Sequence, residues 1–194
     1  MFFETAGISG NSARAACSCL RFASKIWRED ADLESSHKSQ RDAVAIREAV
    51  KDDLSGILDL YAQLFSNTDQ ASLNSKELLP AHYEAFLEIE QSPNCDLFVA
   101  ERAGVVIGTL AITIIPNVSH CGRHWAVIEN VVVDERARES SVGTAMMQHA
   151  IALARAQGCF RVVLSSSVHR EGSHKFYKSL GLEAFGYSFS VFLP

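Results

Sequence analysis

The chain is predicted to fold as an α+β or mixed α/β domain, one sheet with helices on both faces, and three observations predict it. Short runs of β-branched and aromatic residues recur at strand length. Other segments repeat their apolar residues at helical spacing and are bounded by capping residues, Gly or Pro. From Ala43 the order is strand, two helices, three strands, helix, strand, helix and one or two closing strands.

Each element has its own justification. Val44 and Ile46 alternate with Ala45 and Arg47, as a strand requires, and Leu54, Ile57, Leu58, Tyr61, Leu64 and Phe65 line a helix opened by Asp52 or Asp53. A second helix is predicted from about Ser75 to Glu90, disturbed by Pro80 and stopped by Ser92-Pro93. The helical spacing of Tyr61, Phe65, Tyr83 and Phe86 suits core packing, with the lining of a substrate pocket as the alternative. Leu97 to Glu101 and Val105 to Ile115 read as a hairpin around Ala103-Gly104. The loop Pro116 to His124 is polar, and Asn117, His120, Arg123 and His124 are its candidates for contact with a substrate, or else solvated residues.

Next comes the most informative stretch. Val127 to Val133 is too short for a typical helix and rich in residues that suit a buried strand. After a polar turn the period changes: Val142, Ala145, Met146, Ala150, Leu153 and Ala154 share one helical face, with Ser140 or Ser141 as N-cap and Gly158 as the stop. The first turn of this helix is small and almost uncharged, so its free N–H groups and positive dipole end favour an anion. Gly143 lets a phosphate approach the backbone, Thr144 adds a hydroxyl and Arg138 adds a fixed positive charge. A cap and a small residue are also what packing alone demands there. Phe160 to Ser165 reads as a strand and Gly172 to Leu180 as a short helix, and the tail Glu183 to Leu193 has room for one or two strands.

Composition narrows the functional classes. With 194 residues, 47% of them hydrophobic, the chain suits one globular domain, placed at 41–194. Residues 1–40 stand apart: Arg14, Arg21, Lys25 and Arg28 lie among Ala, Ser and Cys with Glu4 as the one acid before Glu29, loosely like a transit peptide. They are read as an extension, poorly ordered or with one helix from Ala13 to Trp27, and carry no assigned chemistry. A net charge of −5 argues against nucleic acid and mildly favours a cationic partner such as an amine. Five scattered cysteines offer neither metal-ligand spacing nor a disulfide framework, which points to a reducing cytoplasm. The histidines show no metal-binding pattern, and no apolar run approaches a bilayer's thickness, so no metal and no membrane are expected.

Two blocks of this sequence resemble the GCN5-related N-acetyltransferases, which move acetyl from acetyl-CoA to an amine. The first is Val131-Val132-Val133-Asp134, then Arg138-x-x-Ser141-x-Gly143 and the helix closing at Gly158; the second runs from Ser173 through Phe176-Tyr177 to Leu182. The family usually has Gly at the position of Ser141, and Ser serves there provided its φ stays negative. The resemblance implies a mostly antiparallel twisted sheet and acetyl-CoA as cosubstrate. It implies cofactor contacts from Val131, Val132, Val133, Arg138, Glu139, Ser140, Ser141, Val142, Gly143, Thr144, Ser173 and Phe176. Arg170 stands where the family often has Asn, so its charge either reaches a phosphate of the cofactor or is solvated. Family members commonly pair, which allows a homodimer.

The chemistry follows from the reactants. An alkylamine, with a pKa near ~10.4, needs a base before it becomes a nucleophile. Glu129 is the one acid inside the central apolar strand, with a raised proton affinity if partly buried; the resemblance implies an acid on this strand as the base, directly or through water, against the alternative that it merely orders a bulge or neighbouring backbone. Charge then develops on the carbonyl oxygen and the departing sulfur. Backbone N–H groups of Val131 to Val133 suit the carbonyl if a bulge splays the strand, holding the pantetheine arm like an added strand. The resemblance gives Tyr177 the role of proton donor to the sulfur, against the alternative of a core tyrosine beside Phe176. His174 and Lys178 are read as surface residues, and Cys159 as a buried thiol rather than a nucleophile. The function expected is acetyl transfer to the primary amine of a small molecule. The alternatives are a peptide or protein acceptor, or a non-catalytic acyl-CoA-binding module.

Overall fold

The computed structural model describes residues 43–65 and 77–191. The expectations for residues 1–40 lie outside the described residues. Strand β1 (Ala45–Glu48) leads through a short 3₁₀ turn into helix α1 (Leu54–Phe65), followed by α2 (Pro80–Gln91), β2 (Cys95–Arg102), β3 (Val105–Ile115) and β4 (Trp125–Val133). Helix α3 (Val142–Ala156), β5 (Val162–Leu164) and α4 (Glu171–Ser179) complete the order. The five strands lie in sequence order, antiparallel from β1 to β4, with β5 parallel to β4. Among the described residues the one parallel pair is therefore the one that α3 crosses over, as its connection demands.

Side-chain alternation along the strands builds a core on each face. Phe98, Ala100, Leu110, Ile112, Ile114, Ala126 and Ile128 meet Val142, Met146, Met147, Ala150 and Ala154 of α3. On the other face Leu97 and Val99 meet Leu54 and Ile57 of α1 and Phe86 of α2. Gly108 admits α3 to the sheet, since a Cβ there would lie 2.8 Å from the Met146 sulfur and 3.2 Å from the Val132 carbonyl. Arg47 bridges β1, the 3₁₀ turn and β2 through Asp53 and Glu101, each at 2.6 Å, and Asp53 also accepts from the Val50 amide at 2.7 Å.

Two expectations about elements are corrected. Pro80 does not disturb α2 but opens it, at the first position, where the missing N–H has no intrahelical partner to lose and the fixed φ suits a helix. The tail forms no strand over residues 183–191. Phe185, Tyr187, Phe189 and Val191 keep strand-like alternation yet are 80–92% exposed, because β5 offers only three residues for pairing. One contact, Ser188 with Ser165 at 3.3 Å, touches the chain just beyond β5.

Candidate active site

The site is built on a fault in β4. Thr109 pairs with Val132 and Ala111 with Glu129, so Leu110 of β3 faces two residues, Asn130 and Val131. Asn130 takes φ +53, a left-handed conformation that Asn tolerates and a β-branched residue does not. The extra residue shifts the alternation. Val131 and Val133 rejoin the α3 face begun by Ala126 and Ile128, while Glu129 and Asn130 are left exposed.

The same place is where β5 leaves. Its pairing runs from Ala126–Val162 to Ile128–Leu164 and stops, so from Glu129 onward the β5 side of β4 has no ladder partner among the described residues. An unpaired strand edge, backed by a bulge, is a place for an extended ligand to add its own hydrogen bonds.

That edge runs into the start of α3. Ser141 is the N-cap with φ −69 and ψ 5, so serine meets the negative-φ condition, and its hydroxyl makes no cap bond. The neighbouring Ser140 hydroxyl donates to the Ala137 carbonyl instead. The amides of Val142, Gly143 and Thr144 therefore stand at the helix's positive end without a side-chain cap, and the first helical bond is Ala145 N to Ser141 O at 2.9 Å. Glu139 turns the loop at φ +62 with its side chain exposed, and the exposed Arg138 lies with Nε 3.4 Å from the Val133 carbonyl.

Gly143 has a reason that the sequence did not show. A Cβ there would meet the Phe176 ring at 3.2 Å and Val133 at 3.6 Å, so the glycine lets α4 close on the junction of β4 and α3. Phe176 and Tyr177 pack against the α3-side core, their rings 5.4 Å apart. Burial pushes the Tyr177 phenol above its ordinary value near 10, and the charge of Arg170 pulls the other way. A phenol kept protonated is a proton donor. Ser173, one turn before Tyr177, is half-buried.

From the opposite face α1 reaches the bulge. Tyr61 is largely buried with its hydroxyl toward Asn130 and Thr109; burial pushes it up to about 12, and the Glu129 carboxylate adds to the rise. Gln63 meets the end of β4, donating to Asp134 at 3.3 Å and accepting from the Glu135 amide at 3.1 Å. Asp134 is held down to about 2, chiefly by its hydrogen bonds with Arg136. Sequence reasoning missed the roles of Gln63 and Asn130, and left Tyr61 between core packing and pocket lining. The available signal was Asn130 itself, one amide inside a β-branched run.

Several expected placements change. Glu129 is exposed rather than partly buried, because the bulge turns it out of the packed alternation. Arg170 is half-buried rather than solvated, its guanidinium donating to the Leu64 carbonyl of α1 at 2.8 Å. His174 is half-buried, with Nε2 2.9 Å from the Ser167 carbonyl. The loop 116–124 leads into the opposite end of β4. His120 stacks on Phe160 at 4.0 Å, Arg123 donates to the Cys159 carbonyl and His124 accepts from the Phe160 amide.

The pattern of the acetyltransferase (GNAT) family matches residues 56–182, well over half the chain. The chain belongs to that family. It is similar to the glucosamine 6-phosphate N-acetyltransferase of Trypanosoma brucei brucei, 34% identical over 88 residues, 45% of this chain and 58% of that protein. An uncharacterized N-acetyltransferase of Methanocaldococcus jannaschii is 30% identical over 140 residues, 71% of this chain and 60% of that one. The chain thus spans about three-fifths of the length of these relatives. Among solved structures, a transcriptional regulator from Bacillus halodurans C-125 superposes with TM-score 0.71 at 27% identity, covering 78% of this chain and all of that one. Among the described residues no helix is long and apolar enough to cross a membrane.

Proposed function

We propose that this acetyltransferase moves acetyl from acetyl-CoA to the primary amine of a small molecule by direct attack. The observation that carries the reading is the β4 edge left without a partner among the described residues beyond Ile128, bulged at Asn130 and ending at the start of α3, where Ser141 makes no side-chain cap. The residues present fit the cofactor. Amides of Val142, Gly143 and Thr144 would hold a diphosphate, with Ser140, Ser141 and Glu139 shaping the loop and Arg138 adding charge. Val131, Val132 and Val133 would hold the extended arm along their edge, with Phe176 and Ser173 beside it.

When bound, acetyl-CoA supplies an activated acyl group as a thioester. Glu129, exposed beside the bulge, takes the amine's proton directly or through water, for which contact with solvent is an advantage. Backbone N–H groups at the bulge stabilise the negative charge that grows on the carbonyl oxygen. Tyr177 holds a proton for the departing sulfur, and its burial supports that role. The Trypanosoma relative, named for an amino sugar phosphate, supports a small acceptor.

Release of free CoA thiol with a panel of small amines tests the proposal in the parent, Glu129→Gln and Tyr177→Phe. Turnover with at least one amine, lost in both variants, is expected. Acetyl-CoA binding without turnover on any amine or peptide would leave an acyl-CoA-binding module. Turnover on peptides alone would move the acceptor to the protein class.

A further inference from the structure

Arg170 occupies the N-cap of α4 and is fixed on three sides. Its amide donates to the Ser167 carbonyl at 3.0 Å, its carbonyl accepts from the His174 amide at 3.1 Å, and its guanidinium donates to the Leu64 carbonyl at 2.8 Å. Leu64 is the penultimate residue of α1 (Leu54–Phe65). Arg170 therefore joins the helix bearing Tyr61 to the helix bearing Tyr177. Arg170 precedes Tyr177 by seven residues, standing at the N-cap of the helix that carries it. Among the described residues no carboxylate pairs with this guanidinium, and Arg170 is the charged side chain that acts on the Tyr177 phenol.

We propose that Arg170 is a positioning residue for the transfer, tying the end of α1 to the start of α4 so that Tyr177 faces the departing sulfur and its phenolate is stabilised by a fixed cation. This rests on the acetyltransferase reading above. In the step concerned, the amine nitrogen forms the C–N bond as the C–S bond breaks and its electron pair goes to sulfur. Tyr177 gives that sulfur its phenol proton and is left as phenolate, while the proton lost by the amine passes through Glu129 to solvent, from which the phenolate is reprotonated. The guanidinium answers the charge that exists on Tyr177 only after the proton has moved. It thus favours the transition state over the ground state.

Two variants separate this from a scaffold role. Arg170→Gln should lower kcat about tenfold or more with the KM for acetyl-CoA changed less than about threefold, and Arg170→Lys, which keeps the charge, should recover most of the loss. In a Tyr177→Phe background the Gln substitution should cost almost nothing further, because the group it serves is gone. A binding readout independent of turnover is the ionisation of Tyr177, taken as the tyrosinate absorbance of each protein minus that of its Tyr177→Phe counterpart. It should move to higher pH in Arg170→Gln by about half a unit or more. An undisplaced titration overturns the proposal even if no amine is acetylated, and a displaced titration without any turnover leaves the charge relation standing while the acetyltransferase reading fails. An undiminished kcat, a loss confined to the KM for acetyl-CoA, or an equal loss with and without the Tyr177 hydroxyl would each overturn it.

Discussion

The two ends of β4 have the same backbone and opposite fates. At its start, Ala126 to Ile128 are paired on both sides, with Ile128 set against Ile112 and Leu164, and the neighbouring surface is closed by rings. Arg161 sits over Trp125 at 4.7 Å and Phe160 at 5.3 Å, and His120 stacks on Phe160. At its end, one inserted residue and the departure of β5 leave an edge, a left-handed Asn130 and a bare helix start. The difference teaches that the candidate site is made by withholding pairing from a strand that could have been fully paired. The closed end supplies the rigidity against which the open end keeps its shape.

The largest effect is expected at the open end. Gly143→Asp puts a carboxylate at the helix start and a Cβ against Phe176, and should weaken acetyl-CoA binding by about a hundredfold or more in calorimetry. Gly143→Ala meets the ring but adds no charge, so an equal loss there would assign the effect to packing alone. Tyr177→Phe should lower kcat by about a hundredfold with little change in acetyl-CoA affinity.

Asn130→Val attacks the fault directly. A β-branched residue at φ +53 should cost about 1–3 kcal/mol in chemical denaturation and reduce kcat/KM, while Asn130→Gly should keep the bulge. If the valine variant were as active as the parent, the left-handed residue would not shape the site.

The pH dependence of stability probes the seam between β4 and α3. Asp134 titrates at about 2 in the fold against an ordinary 3.8, so its contribution is complete above about 4 and is lost as pH falls toward 2. Asp134→Asn should flatten that part of the acid unfolding curve. The smallest effect belongs to the closed end: Arg161→Ala should destabilise by about 0.5–1 kcal/mol and leave kcat within about twofold.

What was legible in the sequence follows the same division. The α3 segment announced itself through period, cap and stop, and the structure places Val142, Met146, Ala150 and Ala154 in the core as that period requires. The hairpin at Ala103-Gly104 was legible because both residues take positive φ, which its Gly advertises. The exposure of Glu129 was not, since a bulge is fixed by register with β3, and register is a relation between strands that no single run of residues carries. Arg170 and Leu64 lie 106 residues apart, so their contact could not be seen in either segment. The tail misled because alternation shows that a segment suits a strand, not that a neighbouring strand is there to receive it.

The central claim is that the open half of β4 and the start of α3 form one ligand-binding surface. Amide NMR spectra recorded during titration with acetyl-CoA test it most directly. Large shifts confined to Val131–Val133 and Val142–Thr144, with Trp125–Ile128 unmoved, are the predicted result. Shifts at the aromatic end around Trp125 and Phe160, with the amides of α3 unchanged, would contradict it.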